Sequence, residues 1–212
     1  MFDVERNNKM AKLYFHYGVM GSSKTANALM VQYNYHEKGK GAWLIKPSVD
    51  TRDDHIDGQG IRVALVRSRI GLSAQADVIG ENDSIITMLD TRRKKRDIAA
   101  IIVDEAQFLS ENQVTELREI VDTYNLPVLC YGLRTDFQTK LFPGSKRLME
   151  VADIIEQVKH VCKCGKAAQV NARLDEVGNV ITEGMQIEIG GNEKYEAMCW
   201  KCYKEKIDDE HL

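Results

Sequence analysis

A small-residue loop near the start of the chain has the residue types that bind phosphate. Its residues are Gly18, Val19, Met20, Gly21, Ser22, Ser23, Lys24 and Thr25. In the pattern G-x-x-x-x-G-K-[ST], backbone N–H groups surround the phosphates, the lysine reaches the terminal ones and the hydroxyl holds Mg²⁺. Ser23 replaces the last glycine, so its backbone either avoids the left-handed region or is strained by about 1–2 kcal/mol. The loop predicts phosphate binding; the alternative is an ordinary strand-turn-helix corner with an exposed lysine.

An apolar segment of strand length, Ile98–Val103, leads directly into two acids, Asp104 and Glu105. This is the form of a buried parallel strand that carries acids to the carboxyl edge of a sheet, where ligands bind in open α/β folds. One carboxylate can hold Mg²⁺ and the other can act as a base. The alternative is a strand that ends in a solvated acidic turn.

A polar loop, residues 46–60, follows the apolar strand Ala42–Ile45 and should reach the same edge. Asp50 and Arg52 within it are candidates for contacting transferred phosphate, because arginine stabilises the charge of that transition state. Without further information, a solvated loop explains the same residues.

Four of the five cysteines form two close pairs. The pairs are Cys162 with Cys164 and Cys199 with Cys202. In a cytosolic chain, such pairs indicate a structural Zn²⁺ site rather than disulfides. The first pair is a tight C-x-C, so His160 is an alternative ligand, and free core thiols are the remaining possibility. Cys130 lies in an apolar stretch and is interpreted as a small core residue.

Length and composition limit the class of protein. The 212 residues, 43% of them hydrophobic, suit one substantial domain with a small appendage. The net charge of −3 gives no overall basic field, so we expect no stable nucleic-acid partner, and the basic run Arg92–Arg96 is interpreted as a solvated helix end. Without an apolar run of membrane-spanning length or a signal-peptide pattern, the protein is expected to be cytoplasmic, with no membrane partner.

Helical and strand patterns alternate along most of the chain. The spacing predicts helices over Lys24–Glu37 and Ser84–Arg93, and a third that begins at a Ser110–Gln113 capping box. Strands are predicted at several apolar segments: Tyr14–Tyr17, Ala42–Ile45, Ile61–Arg69, Ala76–Ile79, Ile98–Val103, Pro127–Tyr131 and Ile154–Val158. Strand-helix-strand order favours parallel pairing with right-handed crossovers.

Several of these segments, in this order, resemble the cellular, zinc-containing (type II) thymidine kinases. They are the phosphate loop, Asp50–Arg52, Asp104–Phe108, Gly132–Phe137, the cysteine pairs and Ile189–Tyr195. The resemblance extends over about Lys12–Cys202. It implies an α/β fold, a P-loop (RecA-like) parallel sheet flanked by helices, with a small C-terminal zinc-ribbon and lasso domain. The expected organisation is a disordered leader at 1–11, a kinase domain at 12–159 and a zinc-binding lasso domain at 160–212.

The resemblance also implies an activity, the transfer of the ATP γ-phosphate to the 5′-hydroxyl of thymidine or deoxyuridine. Glu105 would be the general base and Arg52 would steady the migrating phosphoryl group. Thr25 and Asp104 would place Mg²⁺, and Lys24 with the loop amides would hold ATP. The implied nucleoside-binding residues are Met20, Phe108, Leu133, Phe137, Glu188, Ile189, Gly190 and Tyr195.

The same resemblance implies a homotetramer that the end product thymidine triphosphate inhibits. Ser23 and the C-x-C spacing depart from the family pattern. The main rival interpretation is a P-loop ATPase motor with a zinc ribbon, in which Glu105 activates water and Arg92–Arg96 touch nucleic acid; the chain lacks room for a second motor lobe. Another is a non-catalytic zinc-ribbon protein with a decayed nucleotide domain, although Lys24, Thr25 and both acids are retained.

Overall fold

A computed structural model describes residues 10–186 and 194–209 of the chain. Its main sheet has six parallel strands in the order β10-β1-β9-β8-β2-β7. Their bounds are β1 Leu13–Tyr17, β2 Ala42–Pro47, β7 Asp77–Ile79, β8 Ala100–Val103, β9 Val128–Gly132 and β10 Ile154–Gln157. The predicted α/β class with a parallel sheet is confirmed.

Helices cover both faces of this sheet. Their bounds are α1 Lys24–Glu37, α2 Ile85–Arg93, α3 Glu111–Tyr124 and α4 Pro143–Val151. Helix α1 packs on one face through Ala28 and Leu29, while α2, α3 and α4 bury leucine, isoleucine and valine side chains on the other. The Ser110 capping box is present as predicted. Helix α4, which was not predicted, begins with Pro143, a residue suited to the first turn.

Two small hairpins lie between β2 and β7. One pairs β3 His55–Ile56 with β4 Arg62–Val63, and the other pairs β5 Leu65–Arg67 with β6 Ser73–Gln75. The single strand predicted over Ile61–Arg69 is therefore wrong. The strand is interrupted at Ala64, between the pairing of β4 with β3 and the pairing of β5 with β6. Beside this break, the N–H of Leu65 donates to Asp54 and its C=O accepts from Lys46.

The C-terminal region forms an antiparallel sheet with strand order β12-β11-β13. The strands are β11 Val170–Leu174, β12 Val180–Ile181 and β13 Tyr195–Met198, followed by α5 Trp200–Asp209. A turn at residues 176–179 joins β11 to β12. A separate hydrophobic cluster holds this region together and includes Val19 from the phosphate loop.

In the two described segments, no helix is long and apolar enough to cross a membrane. Arg92 pairs with Asp77 and lies over the Trp43 ring, at the amino edge of the sheet, so the basic run is away from the carboxyl edge. The leader expected at 1–11 lies mostly outside the described residues.

Candidate active site

A cavity of about 390 Å³ opens at the carboxyl edge of the main sheet, where the loops after β1, β2, β8 and β9 meet. Most of the predicted site residues line it: Met20, Gly21, Ser22, Ser23, Lys24, Thr25, Arg52, Asp104, Glu105, Phe108, Leu133, Phe137 and Tyr195. Gly18 and Val19, at the start of the loop, are not among the residues that line the cavity. Glu188, Ile189 and Gly190 lie outside the described residues.

The phosphate loop turns tightly between β1 and α1. A Cβ at Gly18 would stand 2.4 Å from Ser22 Oγ and 2.7 Å from the Val158 carbonyl oxygen, so only glycine fits there. Ser23 has φ 64°, in the left-handed region that a side chain makes unfavourable. Of the two conformations left open by the sequence, the chain adopts the strained one.

Lys24 is buried at the base of the loop. Its ammonium group donates to the Val19 carbonyl at 2.8 Å and to Ser22 Oγ at 3.4 Å. Burial lowers the pKa of Lys24 to about 8, although the carboxylates of Glu105 and Asp104 oppose this shift. A cation that has lost its water and has only neutral oxygens as hydrogen-bond partners is well placed to bind a phosphate anion.

Asp104 is buried where β8 ends. Burial, and then the charge of Glu105, raise the pKa of Asp104 to about 7, while a hydrogen bond from the Thr25 hydroxyl and the charge of Lys24 lower it. Thr25 and Asp104 thus present two adjacent oxygens of the kind that Mg²⁺ binds. This donor pair fits the predicted magnesium site.

Glu105 has an unusual backbone and two side-chain partners. Its φ of 51° is left-handed, a strained conformation of a kind that is common at functional sites. Arg52 Nη2 donates to Glu105 Oε1, and Gln107 Nε2 donates to Oε2 at 2.6 Å. Burial would raise the pKa of Glu105, but Arg52, Lys24 and Gln107 together lower it below its ordinary value. The carboxylate is therefore ionised and fixed in direction at neutral pH.

Gln107 is a positioning residue that the sequence did not reveal. It is almost fully buried, and its Oε1 accepts from the Leu133 N–H at 2.9 Å. A Cβ at Gly132 would approach the same Oε1 to 2.7 Å, so this glycine makes room for the amide. Gln107 therefore connects the acid at the end of β8 to the loop that follows β9.

Arg52 is held in place by a series of ion pairs. Its Nε donates to Asp50 Oδ1 at 2.7 Å, and Asp50 Oδ2 lies 3.7 Å from Lys46 Nζ. Lys46 is fully buried and also binds Asp54 Oδ1 at 2.7 Å. The polar loop after β2 is therefore built around a buried lysine, not simply solvated.

Aromatic side chains form another part of the cavity wall. Phe108 packs edge-on against Phe142 with ring centres 5.7 Å apart. The Arg173 guanidinium lies 3.8 Å from the centre of the Phe137 ring and donates to the Tyr195 hydroxyl at 2.7 and 3.0 Å. Arg173, from β11, was not predicted, because no motif marks a residue whose role is to orient two rings.

The four paired cysteines come together in the C-terminal region. The sulfur atoms of Cys162, Cys164, Cys199 and Cys202 all lie within 4.8 Å of one another. Tetrahedral Zn²⁺ with Zn–S bonds of about 2.3 Å needs sulfurs about 3.8 Å apart, so the cluster fits zinc. His160, the alternative ligand, instead has Nε2 3.6 Å from the Cβ position at Gly21.

Comparison with known proteins identifies the family. The family model for thymidine kinase matches residues 11–203. The thymidine kinase of Zymomonas mobilis is 44% identical over 199 residues, which cover 94% of this chain and 99% of that one. The thymidine kinase of Shewanella oneidensis is 43% identical over 200 residues, which cover 94% and 100% of the two chains.

The chain is also similar to a third thymidine kinase and to one solved structure. The thymidine kinase of Haemophilus influenzae is 43% identical over 197 residues, which cover 93% of this chain and 98% of that one. The crystal structure of Pif1 helicase from Candida albicans has a TM-score of 0.39 and 13% identity, and the match covers 71% of this chain and 36% of that one. The family match and the full-length relatives show that the chain belongs to the thymidine kinase family.

Proposed function

We propose that this protein transfers the γ-phosphate of ATP to the 5′-hydroxyl of thymidine, and of deoxyuridine, in nucleotide salvage. Membership of the thymidine kinase family supports the reaction class. The single structural observation that supports it best is the position of Glu105, whose ionised carboxylate lines the same cavity as the phosphate loop and the aromatic wall. This arrangement supports the proposal, because one cavity brings together the proposed base, the phosphate loop and the aromatic side chains proposed to contact the nucleoside.

Glu105 is proposed as the general base. Its carboxylate takes the proton of the 5′-hydroxyl as that oxygen bonds to the γ-phosphorus, and the bond from phosphorus to the β–γ bridging oxygen breaks to release ADP. Phosphoryl transfer needs mainly positioning and charge neutralisation, so one ionised carboxylate suffices. Gln107 and Arg52 hold that carboxylate in direction before substrate arrives.

Phosphate binding is assigned to the loop and its lysine. Lys24 exchanges its contacts with the Val19 carbonyl and Ser22 for ATP phosphate oxygens, which are stronger acceptors. Thr25 and Asp104 would hold Mg²⁺, which neutralises charge on the phosphates when bound. Arg52, which already pairs with Glu105, lies where it can also steady the transferred group.

The nucleoside is assigned to the aromatic part of the cavity. Phe108 and Phe137 contribute aromatic side chains to the cavity wall, and Met20 and Leu133 contribute apolar ones. The backbone of Glu188, Ile189 and Gly190 is proposed to read the base edge with Tyr195 beside it. Hydrogen bonds of this kind discriminate strongly, because a base without matching groups leaves buried amides unpaired.

The proposal also includes a structural Zn²⁺ on the four cysteines, a homotetrameric state, a place in the cytoplasm and inhibition by thymidine triphosphate. The continuity of the cavity supports this inhibition, because one ligand with a thymine ring and a triphosphate can fill both the aromatic part and the phosphate-loop part. Competition of thymidine triphosphate with thymidine in steady-state kinetics tests the inhibition. Light scattering of the full chain tests the tetramer.

The test of the main proposal is phosphate transfer from ATP with Mg²⁺ to thymidine, deoxycytidine, deoxyadenosine or no acceptor. Thymidine 5′-monophosphate is the expected main product. Glu105→Gln should lose about 100-fold or more of the rate, as expected for removal of a general base. Glu176→Gln, the same change in an exposed turn, is the control and should retain activity. ATP hydrolysis indifferent to thymidine, and above all stimulated by DNA, would overturn the proposal in favour of a motor ATPase.

A further inference from the structure

Arg69 lies against the phosphate loop, although it comes from a separate hairpin. Its Nη1 is 3.3 Å and its Cζ 3.7 Å from the position that a Cβ on Gly21 would occupy. The same side chain lines the cavity together with Lys24 and Thr25. A guanidinium group therefore stands directly beside the backbone turn to which phosphate binding is assigned.

The turn that presents Arg69 is rigidly built. The Ser68 N–H donates to the Leu72 carbonyl at 2.8 Å, and the Leu72 N–H donates to Ser68 Oγ at 3.0 Å. Gly71 closes the turn with φ 89°, a conformation that favours glycine. Val66, at the centre of β5, packs into the same cluster as Leu29 of α1. The hairpin is thus anchored to the helix that begins at the phosphate loop.

Arg69 differs from the neighbouring arginines in its lack of an acidic partner. Arg52, Arg62 and Arg67 each form an ion pair with a carboxylate. Over residues 10–186 and 194–209, no ion pair or hydrogen bond involves Arg69. Arginine has five N–H donors in a planar fork that matches phosphate oxygens. An arginine left unpaired at the wall of an anion-binding cavity has its donors available for the ligand.

Arg69 is also close to a second positive charge. Its guanidinium acts electrostatically on the buried Lys24, and both side chains line the same cavity. Two like charges repel each other, and an anion bound between them offsets this repulsion. Arg52, by contrast, already has both Asp50 and Glu105 as partners and must weaken those contacts to bind phosphate.

We propose that Arg69 is a catalytic residue that binds the γ-phosphate of ATP and holds it during transfer, while Arg52 mainly orients Glu105. This inference rests on the proposed kinase function. The γ-phosphoryl group carries its charge on three equatorial oxygens in the transition state, and an arginine that needs no rearrangement stabilises that charge at little cost.

The test compares Arg69→Gln with Arg67→Gln in the full-length protein. Arg67 is on the same hairpin and also lines the cavity, but its side chain is 57% exposed and lies 3.9 Å from Asp53. Its replacement therefore removes the same charge from a neighbouring position that already has an acidic partner. Calorimetry measures the affinity for ADP and for the non-hydrolysable β,γ-imido analogue of ATP, with Mg²⁺. Steady-state kinetics gives kcat and the KM of each substrate.

Arg69→Gln should bind the ATP analogue about 10- to 100-fold more weakly, the effect of losing charged hydrogen bonds, with ADP binding changed less than about 3-fold. Its kcat should fall by a similar factor, with the KM for thymidine unchanged. Arg69→Lys should recover part of the analogue affinity, because it keeps the charge without the fork. Arg67→Gln should change analogue binding and kcat by less than about 3-fold, because Arg67 is paired with Asp53 and largely exposed.

Equal weakening of ADP and analogue binding would overturn the inference, as would equal effects of the two glutamine variants. These outcomes are separate from failure of the proposed function. If the unchanged protein transfers no phosphate to thymidine, the kinase proposal fails, whereas the analogue-to-ADP ratio still reports whether Arg69 contacts a γ-phosphate. A thermal unfolding midpoint equal to that of the unchanged protein establishes that Arg69→Gln is folded.

Discussion

The backbone N–H of Met20 donates to Asn171 Oδ1 at 2.7 Å, which joins the phosphate loop to the first strand of the C-terminal sheet. The amide of Asn171 is buried, and its Nδ2 donates to the Thr135 carbonyl at 3.2 Å. The adjacent Val19 is packed in the hydrophobic cluster of the C-terminal region. Two neighbouring residues of the loop are therefore held by the part of the chain that carries the cysteine cluster.

Replacement of Asn171 should loosen the phosphate loop. Asn171→Ala leaves the Met20 N–H without its acceptor, and an unpaired buried donor costs about 1–3 kcal/mol. We expect kcat/KM for ATP to fall about 10-fold, with a smaller change in the KM for thymidine. The control is Asn179→Ala in the exposed β11–β12 turn, which should have normal kinetics. A change confined to the KM for thymidine would show that Asn171 serves the nucleoside alone.

Loss of the metal should affect the phosphate loop as well as the C-terminal region. Cys164→Ser removes one sulfur ligand, and structural zinc sites contribute directly to folding. We expect bound zinc, measured by atomic absorption, to fall from about one per chain to near zero, with a lower thermal midpoint and weaker ATP binding. Cys130→Ala, at a buried cysteine outside the cluster, should keep its zinc. Full zinc in Cys164→Ser would contradict the four-sulfur site.

Much of this architecture could be predicted because its signals are local in sequence. The capping box at Ser110, the helix that begins at Lys24 and the acids that end β8 each depend on residues within one or two turns of chain. Parallel strands then bring their carboxyl ends to one edge, which is why Arg52 and Glu105 could be expected at one site.

The positioning residues could not be predicted, because their partners lie far away in sequence. Gln107 binds Leu133, and Asn171 binds Met20 across 151 positions. Both are amides, a residue type without a motif of its own, and nothing in the polar segment 46–60 marks Lys46 as a residue that folding buries. The left-handed backbone of Ser23 remained open for a different reason: the residue type disfavours it, and only the surrounding loop decides.

Relief of the strain at Ser23 should stabilise the protein. Glycine adopts the left-handed region without penalty, so Ser23→Gly recovers part of the 1–2 kcal/mol of strain, less the extra freedom that glycine has when unfolded. We expect a net gain of about 0.5–1 kcal/mol, seen as a rise of about 1–4 °C in the thermal midpoint. Ser23→Ala retains the Cβ and should show no rise. Equal gains in stability in both variants would mean that the Ser23 hydroxyl, and not its left-handed backbone, destabilises the unchanged protein.

The buried pair of Lys46 and Asp54 should make stability depend on acid pH. Burial raises the pKa of Asp54, but hydrogen bonds from Lys46 and Arg62 outweigh it and lower the pKa below its ordinary value. The ionised carboxylate is thus favoured by folding. Its contribution is complete above the ordinary pKa of about 3.9 and is lost as the pH falls through the lower, folded value.

Asp54→Asn should therefore destabilise the protein by about 3–5 kcal/mol at pH 7, because it leaves Lys46 buried without its closest counter-charge. Urea unfolding at pH 7 and at pH 3 measures the difference from the unchanged protein, which should shrink at pH 3, because Asp54 is then largely protonated in the unfolded chain and folding must ionise it. The control is Asp122→Asn, which removes an exposed ion pair with Arg118 and should cost less than about 1 kcal/mol. A deficit of the same size at both pH values would mean that packing, not charge, accounts for the effect of Asp54.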